Sequence, residues 1–594
     1  MPALLFVMLV SLPFAWMYLL PGSFIDFSKS ILYSLGFGSN FYFHYSGQQY
    51  GAESGLLKPF LHTWSLSVEE QYYILFPIIL LVIFKYFRKY LLTILVIALI
   101  ISLQIADWGS KNYPSASFYF LHTRMWELFA GSILAYFEIT KRHRSKNKTL
   151  NLILPSIGLF LIGHSILFFN DKMFHPSFYT LSPIIGVCLI IWFSNKNELI
   201  TKILSTKLFV GIGLISYSLY LWHYPIFTFV RIIEFTVQGN IFKSTLLGFL
   251  TLILSIFTYY FIEKPFRNKN NKFKVIIGLI TISIFVLMIY NFSVIKKNGY
   301  PNRVPEFLTE DFSKPWMLLK NRKGKECYEN IEVCNFNISS NNKVYIIGDS
   351  HVASLTFNLK DRIVKSNYQF ITSTYGGCLF YPGFDLVDNR TKKIVGNCRE
   401  SYFQKLKQTL SNDKNSIIIF GGRLPLYLSN YFFDNQEGGV EGLEWANKYI
   451  SSGKYDTIQN SFKNEILELS KNNKIILIYP VPEVGWDPRQ KILSQWSKNK
   501  FSKHFDLEYI TTSFKVYKER TKSSFELLNS IQSNNVYRVY PHTLFCDTII
   551  KDRCVTHNDK NIFYFDADHP STKGAEMIND LIMKEIEKIE LKSN

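Results

Sequence analysis

The first 291 residues are dominated by long apolar runs, and this feature constrains the fold more than any other. A helix that crosses the hydrocarbon core of a bilayer needs roughly 20 predominantly apolar residues. After residue 291 the chain has the polarity of a soluble domain, so the sequence predicts a multi-span α-helical membrane bundle followed by a globular half. The stretch 26–44 is too polar to span and is expected at the surface. About nine candidate spans remain: 2–20, 70–88, 90–106, 118–137, 150–169, 179–194, 208–230, 242–262 and 274–292.

Basic residues in the short loops predict the orientation of these spans. If Met1 is cytoplasmic, the loops 84–90, 138–149, 195–207 and 263–274 lie inside and carry 16 Lys and Arg in total. The loops on the other side carry 6. Because cytoplasmic loops are enriched in Lys and Arg, an odd number of spans would place the globular half outside the cell membrane.

The net charge of +19 does not indicate a nucleic-acid-binding protein. Much of this charge lies in the loops assigned to the cytoplasm, where it orients helices against anionic lipid. The basic run KRHRSKNK (141–148) lies between two candidate spans and is interpreted as a topogenic signal. Membrane lipid is therefore the expected partner of this charge, and nucleic acid is not.

Six of the seven cysteines lie in the globular half, in three local pairs. An even set at such spacings is typical of disulfides in an oxidising compartment, which agrees with an extracytoplasmic location. No cysteine or histidine spacing predicts a metal site. Cys188 lies inside a candidate span and is expected to be ordinary packing. The predicted disulfides are Cys327–Cys334, Cys378–Cys398 and Cys546–Cys554.

Polar residues recur within or beside the apolar runs. Singly, each is explained by an interfacial anchor or a buried ion pair, but together they predict a polar site inside the bundle. Arg124 and Glu127 are three residues apart and share a helix face. The candidate residues of this membrane site are His62, Trp64, Glu69, Glu70, Arg124, Glu127 and His223.

The globular half contains the stretch VYIIGDSH, in which a β-rich run leads into Ser350 at the start of a predicted helix. A helix N-terminus favours negative charge, which suits a serine nucleophile. Near the C-terminus the sequence FDADHPS places Asp566 and His569 on one loop. A serine nucleophile needs a base and an acid that orients it, so Ser350, His569 and Asp566 are the predicted catalytic set. Asp568 is expected to be a solvated loop residue.

Apolar β-rich runs between these motifs alternate with helical stretches. This alternation predicts a parallel α/β three-layer sandwich. The predicted strands are 344–348, 368–373, 416–421, 474–479 and 536–540.

Several segments resemble the membrane-bound acyltransferase-3 family. They are LHTWSLSVEEQYYILFP, RMWELFAGSILA, ISYSLYLWHYPI and FIEKPFR, and GDSH with DxxH resembles the SGNH domain fused to the O-antigen and peptidoglycan O-acetyltransferase type. The implied domains are a transmembrane acyltransferase-3-like domain (1–292), a linker (293–343) and an extracytoplasmic SGNH-like domain (344–594). The resemblance implies a protein of the bacterial inner membrane.

The implied activity is transfer of an acyl group, expected to be acetyl, from cytoplasmic acetyl-CoA to a hydroxyl of a surface or cell-wall polysaccharide. Acetyl-CoA is the donor substrate, no cofactor is expected to stay bound, and the acyl group passes through Ser350. SGNH enzymes stabilise the oxyanion with a glycine N–H and an asparagine. Gly376 or Gly377 supplies the first, whereas Arg423 stands where the asparagine is expected and is the third oxyanion candidate.

The resemblance departs at the N-terminus. Full-length relatives begin with two further spans, the first of which carries the histidine proposed as the family's base, and this sequence has no counterpart of them. The expectation is an upstream start, a truncated gene, or a partner that supplies the missing helices. Two rival functions stay open: a membrane-anchored carbohydrate O-acetyl esterase and an inactive truncated remnant.

Overall fold

The computed structural model describes residues 1–593 except 48–54, 142–143, 146, 171–172, 197, 235–240, 269–272, 306–307, 309–318, 330–332, 390–391, 442–446 and 500–507. The chain divides into two compact units, a helical unit within residues 1–299 and an α/β unit made mainly of residues 300–594.

Among its described residues, the helical unit contains fourteen α-helices. They are α1 (Pro2–Tyr18), α2 (Pro21–Leu35), α3 (Ser39–Gly47), α4 (Thr63–Tyr86), α5 (Leu91–Asn112), α6 (Pro114–Tyr119), α7 (Met125–Lys141), α8 (Lys148–Phe168), α9 (Leu181–Phe193), α10 (Leu199–Leu204), α11 (Lys207–Glu234), α12 (Ile241–Thr258), α13 (Lys264–Arg267) and α14 (Phe273–Lys296).

Five helical stretches in the described part of the chain are long and apolar enough to cross a membrane. They are Thr63–Tyr86, Arg88–Asn112, Lys148–Phe168, Ile241–Arg267 and Lys274–Lys296. Two shorter apolar helices, Pro2–Tyr18 and Phe178–Phe193, coincide with two more of the predicted spans. The remaining predicted spans, 118–137 and 208–230, overlap α7 and α11. The helical membrane class is thus confirmed.

The segment 26–44, expected not to span the membrane and to lie at the surface, belongs to α2 and α3, neither of which is among the helices long and apolar enough to cross a membrane. One face of each helix is buried, and hydroxyl groups pair them with α4. Ser34 Oγ lies 2.8 Å from Thr63 Oγ1, and Ser39 Oγ lies 2.7 Å from Ser67 Oγ. These small side chains let the helices approach closely and pair their polar atoms with one another.

Helices α8 and α9 pack through two glycines. A Cβ on Gly158 would lie 2.6 Å from the carbonyl oxygen of Gly186, and the reverse distance is the same. Helices inside a membrane gain contact area when small residues let their backbones approach. Helix α8 begins at Asn147, whose side chain caps it by accepting hydrogen bonds from the backbone N–H groups of Thr149 and Leu150.

The α/β unit contains a six-stranded sheet in the order β1-β3-β2-β5-β7-β9. Strands β2, β3, β5, β7 and β9 are parallel, and β1 pairs antiparallel with β3 at the edge. The strands are β1 (Cys334–Phe336), β2 (Lys343–Gly348), β3 (Gln369–Thr374), β4 (Phe384–Asp388), β5 (Ile417–Phe420), β6 (Asn447–Ser451), β7 (Lys474–Ile478), β8 (Thr511–Ser513), β9 (Val536–Val539) and β10 (Arg553–Val555). Two further pairs, β4–β6 and β8–β10, are antiparallel.

Helices cover both faces of this sheet. Successive strand residues point to opposite faces, so Ile346 joins a core with α15 and α22, whereas Ile347 joins a core with α16 and α18. The predicted three-layer sandwich is confirmed, and all five predicted strands coincide with β2, β3, β5, β7 and β9. The helices are α15 (Ser350–Lys365), α16 (Glu400–Asn412), α17 (Leu424–Ser429), α18 (Ile458–Ser470), α19 (Pro488–Asn499), α20 (Phe514–Asn529), α21 (His542–Phe545) and α22 (Thr572–Ser593).

The three predicted disulfides are present in this unit. The S–S distances are 2.05 Å for Cys327–Cys334, 2.07 Å for Cys378–Cys398 and 1.99 Å for Cys546–Cys554. The first of them includes a residue of β1, so the edge strand of the sheet lies within the segment predicted to be a linker (293–343).

Candidate active site

The turn between β2 and α15 positions Ser350. Strand β2 ends at Gly348, and Asp349 caps the helix by accepting a hydrogen bond from the His351 N–H at 2.9 Å. Ser350 is therefore the first residue of α15, at the positive end of the helix dipole. A side chain at Gly348 is excluded, because its Cβ would lie 2.4 Å from the carbonyl oxygen of Gly421.

Asp349 also ties this turn to the neighbouring β5–α17 connection. Its Oδ2 accepts the backbone N–H of Arg423 at 2.8 Å and the Tyr427 hydroxyl at 2.9 Å. With the cap bond, the buried carboxylate accepts three hydrogen bonds. This arrangement fixes the main chain on which the Ser350 hydroxyl is presented.

The loop before α22 brings the predicted base and acid to Ser350. His569 Nε2 lies 2.8 Å from Ser350 Oγ, and His569 Nδ1 lies 2.9 Å from Asp566 Oδ2. Asp566 Oδ1 also accepts the backbone N–H groups of Asp568 and His569, at 3.0 and 2.8 Å, which folds the loop into a tight turn. A carboxylate only accepts, so Nδ1 carries the proton and Nε2 is free to accept the serine proton. The three predicted residues thus form one hydrogen-bonded line.

Asp568 is not the solvated loop residue that was expected. It is buried, and its Oδ1 lies 3.1 Å from His569 Nδ1. Its Oδ2 accepts from His351 Nε2 at 2.9 Å and from Arg423 Nη1 at 2.8 Å. Burial alone would raise the pKa of Asp568, but the Arg423 guanidinium, His569 and the hydrogen bonds from the two histidines together outweigh burial and hold that pKa well below its usual range. The expectation was wrong because it considered only the loop and not the cation that lies opposite it.

The guanidinium of Arg423 faces carboxylates and does not act as a free donor for an oxyanion. Its Nε donates to Glu483 at 2.6 Å, its Nη2 donates to Glu441, and its Nη1 donates to Asp568. The side chain is only 10% exposed, so these ion pairs lie inside the α/β unit. Arg520 neutralises the other oxygen of Glu483 at 2.9 Å. The oxyanion assignment for Arg423 is therefore not supported.

The other oxyanion candidates, Gly376 and Gly377, lie in the loop that follows β3. Gly348 and Thr374 are register partners at the ends of their strands. The Tyr375 N–H donates to the Gly348 carbonyl at 3.1 Å, which holds this loop beside the turn that carries Ser350. Gly377 has φ +70°, a conformation that favours glycine.

Three residues of metal-ligating type meet at this site, since His351, Asp568 and His569 present atoms within 4.8 Å of one another. The group is a poor cation site. Arg423 already supplies a positive charge to Asp568, and His569 is hydrogen-bonded on both of its ring nitrogens.

In the helical unit, the structure separates the predicted polar residues into three places. Glu69 and Glu70 line a cavity of about 270 Å³ together with Ser34, Tyr217 and Arg267. Arg267 also bonds Glu263 at 3.1 Å, and Glu263 accepts from Ser218. The sequence interpretation missed Tyr217, because it lies in an apolar helix where a tyrosine has no distinctive spacing.

Two further clusters hold the other candidates. The buried His62 ring lies among aromatic rings, 5.6 Å from His223 and 5.3 Å from Tyr220. Arg124 pairs with Glu127 at 3.3 Å, donates to His175 Nε2 at 2.9 Å, and lies 5.5 Å from the Trp64 ring. His175 was not predicted, because it belongs to a loop far along the chain from Arg124.

Both units match known protein families. Residues 2–260 match a family described as an acyltransferase domain, and residues 320–584 match one described as an SGNH domain fused to AT3 domains. The chain combines an acyltransferase-3 domain with a fused SGNH domain. The family resemblance read from the motifs is confirmed.

Curated relatives are similar over part of their length. An O-acetyltransferase OatA of Staphylococcus aureus is 30% identical over 283 residues, which are 46% of this chain and 46% of the relative. A peptidoglycan O-acetyltransferase OatA of Listeria monocytogenes is 31% identical over 249 residues, 40% of each chain. The matched region thus spans about half the length of these relatives. A lipopolysaccharide acetyltransferase periplasmic domain of Salmonella ser. Paratyphi A matches 41% of this chain and 83% of that structure, with 19% identity and a TM-score of 0.29.

Proposed function

We propose that this protein is a membrane O-acetyltransferase that acetylates a cell-surface or cell-wall polysaccharide. The observation that carries the proposal is the line Ser350–His569–Asp566, with joining distances of 2.8 and 2.9 Å, in an SGNH domain that is fused to an acyltransferase domain. A simple membrane anchor needs one span, whereas this chain has five helices long enough to cross a membrane among its described residues. That excess favours transfer across the membrane over plain anchoring of an esterase.

The soluble unit would carry the acetyl group on Ser350. His569 takes the hydroxyl proton while Oγ attacks the acyl carbonyl, and Asp566 stabilises the imidazolium. The N–H of Ser350 and an N–H of Gly376 or Gly377 are the proposed oxyanion donors. In the second half, a sugar hydroxyl loses its proton to His569 and attacks the acyl-serine, which restores the free enzyme.

The helical unit would supply the acetyl group from cytoplasmic acetyl-CoA. The cavity that Glu69 and Glu70 share with Tyr217 is the proposed transfer site, since carboxylates can hold a hydroxyl or relay its proton. The two other clusters, which hold His62 with His223 and Trp64 with Arg124 and Glu127, are proposed to support the membrane domain around this cavity.

The distribution of basic residues and the three disulfides support a C-terminal domain outside the inner membrane of a bacterium. The names of the curated relatives support peptidoglycan as the acceptor to test first.

The test is the O-acetyl content of the purified cell wall in cells that express Ser350→Ala, measured as acetate released by mild base. If the protein is a transferase, the acetate content of the cell wall should fall to the level found in cells without the gene. Ser366→Ala, at the exposed C-terminal end of the same helix, is the matched control and should leave acetylation unchanged.

The direction of the change separates the rival functions. An esterase predicts that Ser350→Ala raises the acetate content, because removal stops. An unchanged acetate content in the cell wall and in other surface polysaccharides would refute the proposed role of Ser350.

A further inference from the structure

The base of this site faces two carboxylates instead of one. His569 Nδ1 lies 2.9 Å from Asp566 Oδ2 and 3.1 Å from Asp568 Oδ1. Asp566 is 27% exposed on its side chain, whereas Asp568 is 8% exposed. The single Nδ1 proton is therefore shared between a partly hydrated acid and a buried one.

Asp568 is held in place from the opposite side. His351 donates through Nε2 at 2.9 Å and Arg423 donates through Nη1 at 2.8 Å, both to Asp568 Oδ2. Because Oδ2 takes these two bonds, Oδ1 stays turned toward His569. The rings of His351 and His569 lie 4.8 Å apart between their centroids, so His351 also limits the tilt of the base.

The charges around Asp568 are nearly balanced without His569. Arg423 and Arg520 supply two positive charges, and Glu441, Glu483 and Asp568 supply three carboxyl groups. Burial raises the pKa of Glu441 to about 8 despite the charge of Arg423. The neutral form of Glu441 is thus favoured, which leaves Arg423 and Arg520 to face Glu483 and Asp568 and gives Asp568 counter-charge when the imidazole is neutral.

We propose that Asp568 is a second orienting acid for His569, positioned by Arg423 and His351. This inference rests on the proposed role of Ser350. When the bond between Oγ and the acyl carbon forms, the Oγ proton moves to His569 Nε2 and the carbonyl π electrons move to the carbonyl oxygen. The resulting imidazolium is stabilised by two carboxylates. When the oxyanion collapses, the leaving group departs with the Nε2 proton, and the imidazole is neutral again.

The two acids therefore share a role that one acid fills in an ordinary triad. Loss of the orienting acid there costs about 10⁴-fold in rate. With two acids, we expect Asp566→Asn and Asp568→Asn each to cost about 10- to 100-fold, and the double variant to reach about 10⁴-fold.

The assay is covalent labelling of the full-length detergent-solubilised protein with a fluorophosphonate. Ser350 Oγ forms the bond to phosphorus, fluoride leaves, and His569 takes the hydroxyl proton and releases it to solvent. The rate constant of labelling is measured from pH 4.5 to 9 for each variant. Asp580→Asn is the control, since that carboxylate pairs with Arg362 on the surface.

The pH profile separates an electrostatic role from a structural one. The groups that face His569 are Ser350, His351, Asp566 and Asp568, with Arg423 behind Asp568. Asp568→Asn removes a negative charge, so the midpoint of the rate profile should move to lower pH. The double variant Arg423→Gln with Glu441→Gln removes the counterion of Asp568, so its midpoint should move to higher pH. Loosened packing alone would not move the two midpoints in opposite directions.

Three outcomes decide the matter. Opposite shifts and a double acid variant that is slower than either single variant support the inference. An unshifted midpoint in Asp568→Asn, or Asp566→Asn already as slow as the double variant, overturns it. If Asp568→Asn does not fold, an unshifted midpoint in the Arg423 and Glu441 double variant overturns it instead. Failure of the proposed role of Ser350 looks different, because the wild-type protein would then label no faster than Ser350→Ala, and failure of the transferase function is read separately from the acetate content of the cell wall.

Discussion

Replacement of Asp349 by asparagine should destabilise the α/β unit. The buried Asp349 carboxylate accepts three hydrogen bonds, from His351 N–H, Arg423 N–H and the Tyr427 hydroxyl. Asparagine keeps one oxygen for the helix cap, and its amide NH₂ then faces two donors. Hydrogen bonds to a charged group contribute about 1.5–3 kcal/mol each. Since the Tyr427 hydroxyl can rotate to accept, the expected loss of unfolding free energy is about 3 kcal/mol.

The assay is residual fluorophosphonate labelling of Ser350 after aliquots of the full-length protein are heated, normalised to the unheated sample. A loss of 1 kcal/mol lowers the melting temperature of a domain of 150–250 residues by about 2–4 °C. The midpoint for Asp349→Asn should therefore fall by about 6–12 °C. Asp580→Asn, which removes a charge from an exposed pair, should shift it by no more than about 2 °C. If the midpoint for Asp349→Asn also lies within about 2 °C of wild type, the three hydrogen bonds do not hold the turn.

Two other predictions concern different parts of the molecule. Burial raises the pKa of Glu441 to about 8, above the ordinary value of 4.5, so the folded state favours its neutral form. Its stabilising contribution is complete below about pH 4.5 and is lost as the pH rises through about 8. Glu441→Gln should therefore flatten the decline of the melting temperature between pH 5 and 8. Glu468→Gln, on an exposed helix face, should leave that decline unchanged. An equally steep decline in both variants would contradict the raised pKa of Glu441. In the helical unit, Gly158→Ala places a Cβ 2.6 Å from the Gly186 carbonyl oxygen and should cost about 1–3 kcal/mol. Gly163→Ala, where nothing lies within 4 Å, is the matched control for the melting temperature in detergent, and equal midpoints would refute the close packing.

The sequence was sufficient for those features that depend on local pattern. Apolar β-rich runs predicted the five parallel strands, because strands buried on both faces read as continuous apolar stretches. The turn at Ser350 and the loop of Asp566 and His569 were also predictable, since each combines a chemical group with a strand or helix end.

Features that depend on residues far apart in the chain were not predictable. Asp568 has the composition of a solvated loop residue, and only the folded chain brings Arg423 and His351 against it. Arg423 was a candidate oxyanion donor because it stands where an asparagine is expected. Its three carboxylate partners could not be foreseen, because they come from separate segments. The pairing of hydroxyl groups in residues 26–44 with α4 was likewise not predictable, because the partners are 29 and 28 residues apart in the chain.

Arg423 connects the two ends of the site. Its backbone N–H holds the turn of Ser350 through Asp349, and its side chain holds the loop of His569 through Asp568. Ser350 and His569 are 219 residues apart in the chain, and the base lies just before the last helix. During synthesis, the nucleophile is therefore made long before its base exists. An unfinished chain has a serine but no partner to activate it, so reactivity toward esters arises only when the last segment has folded onto the rest.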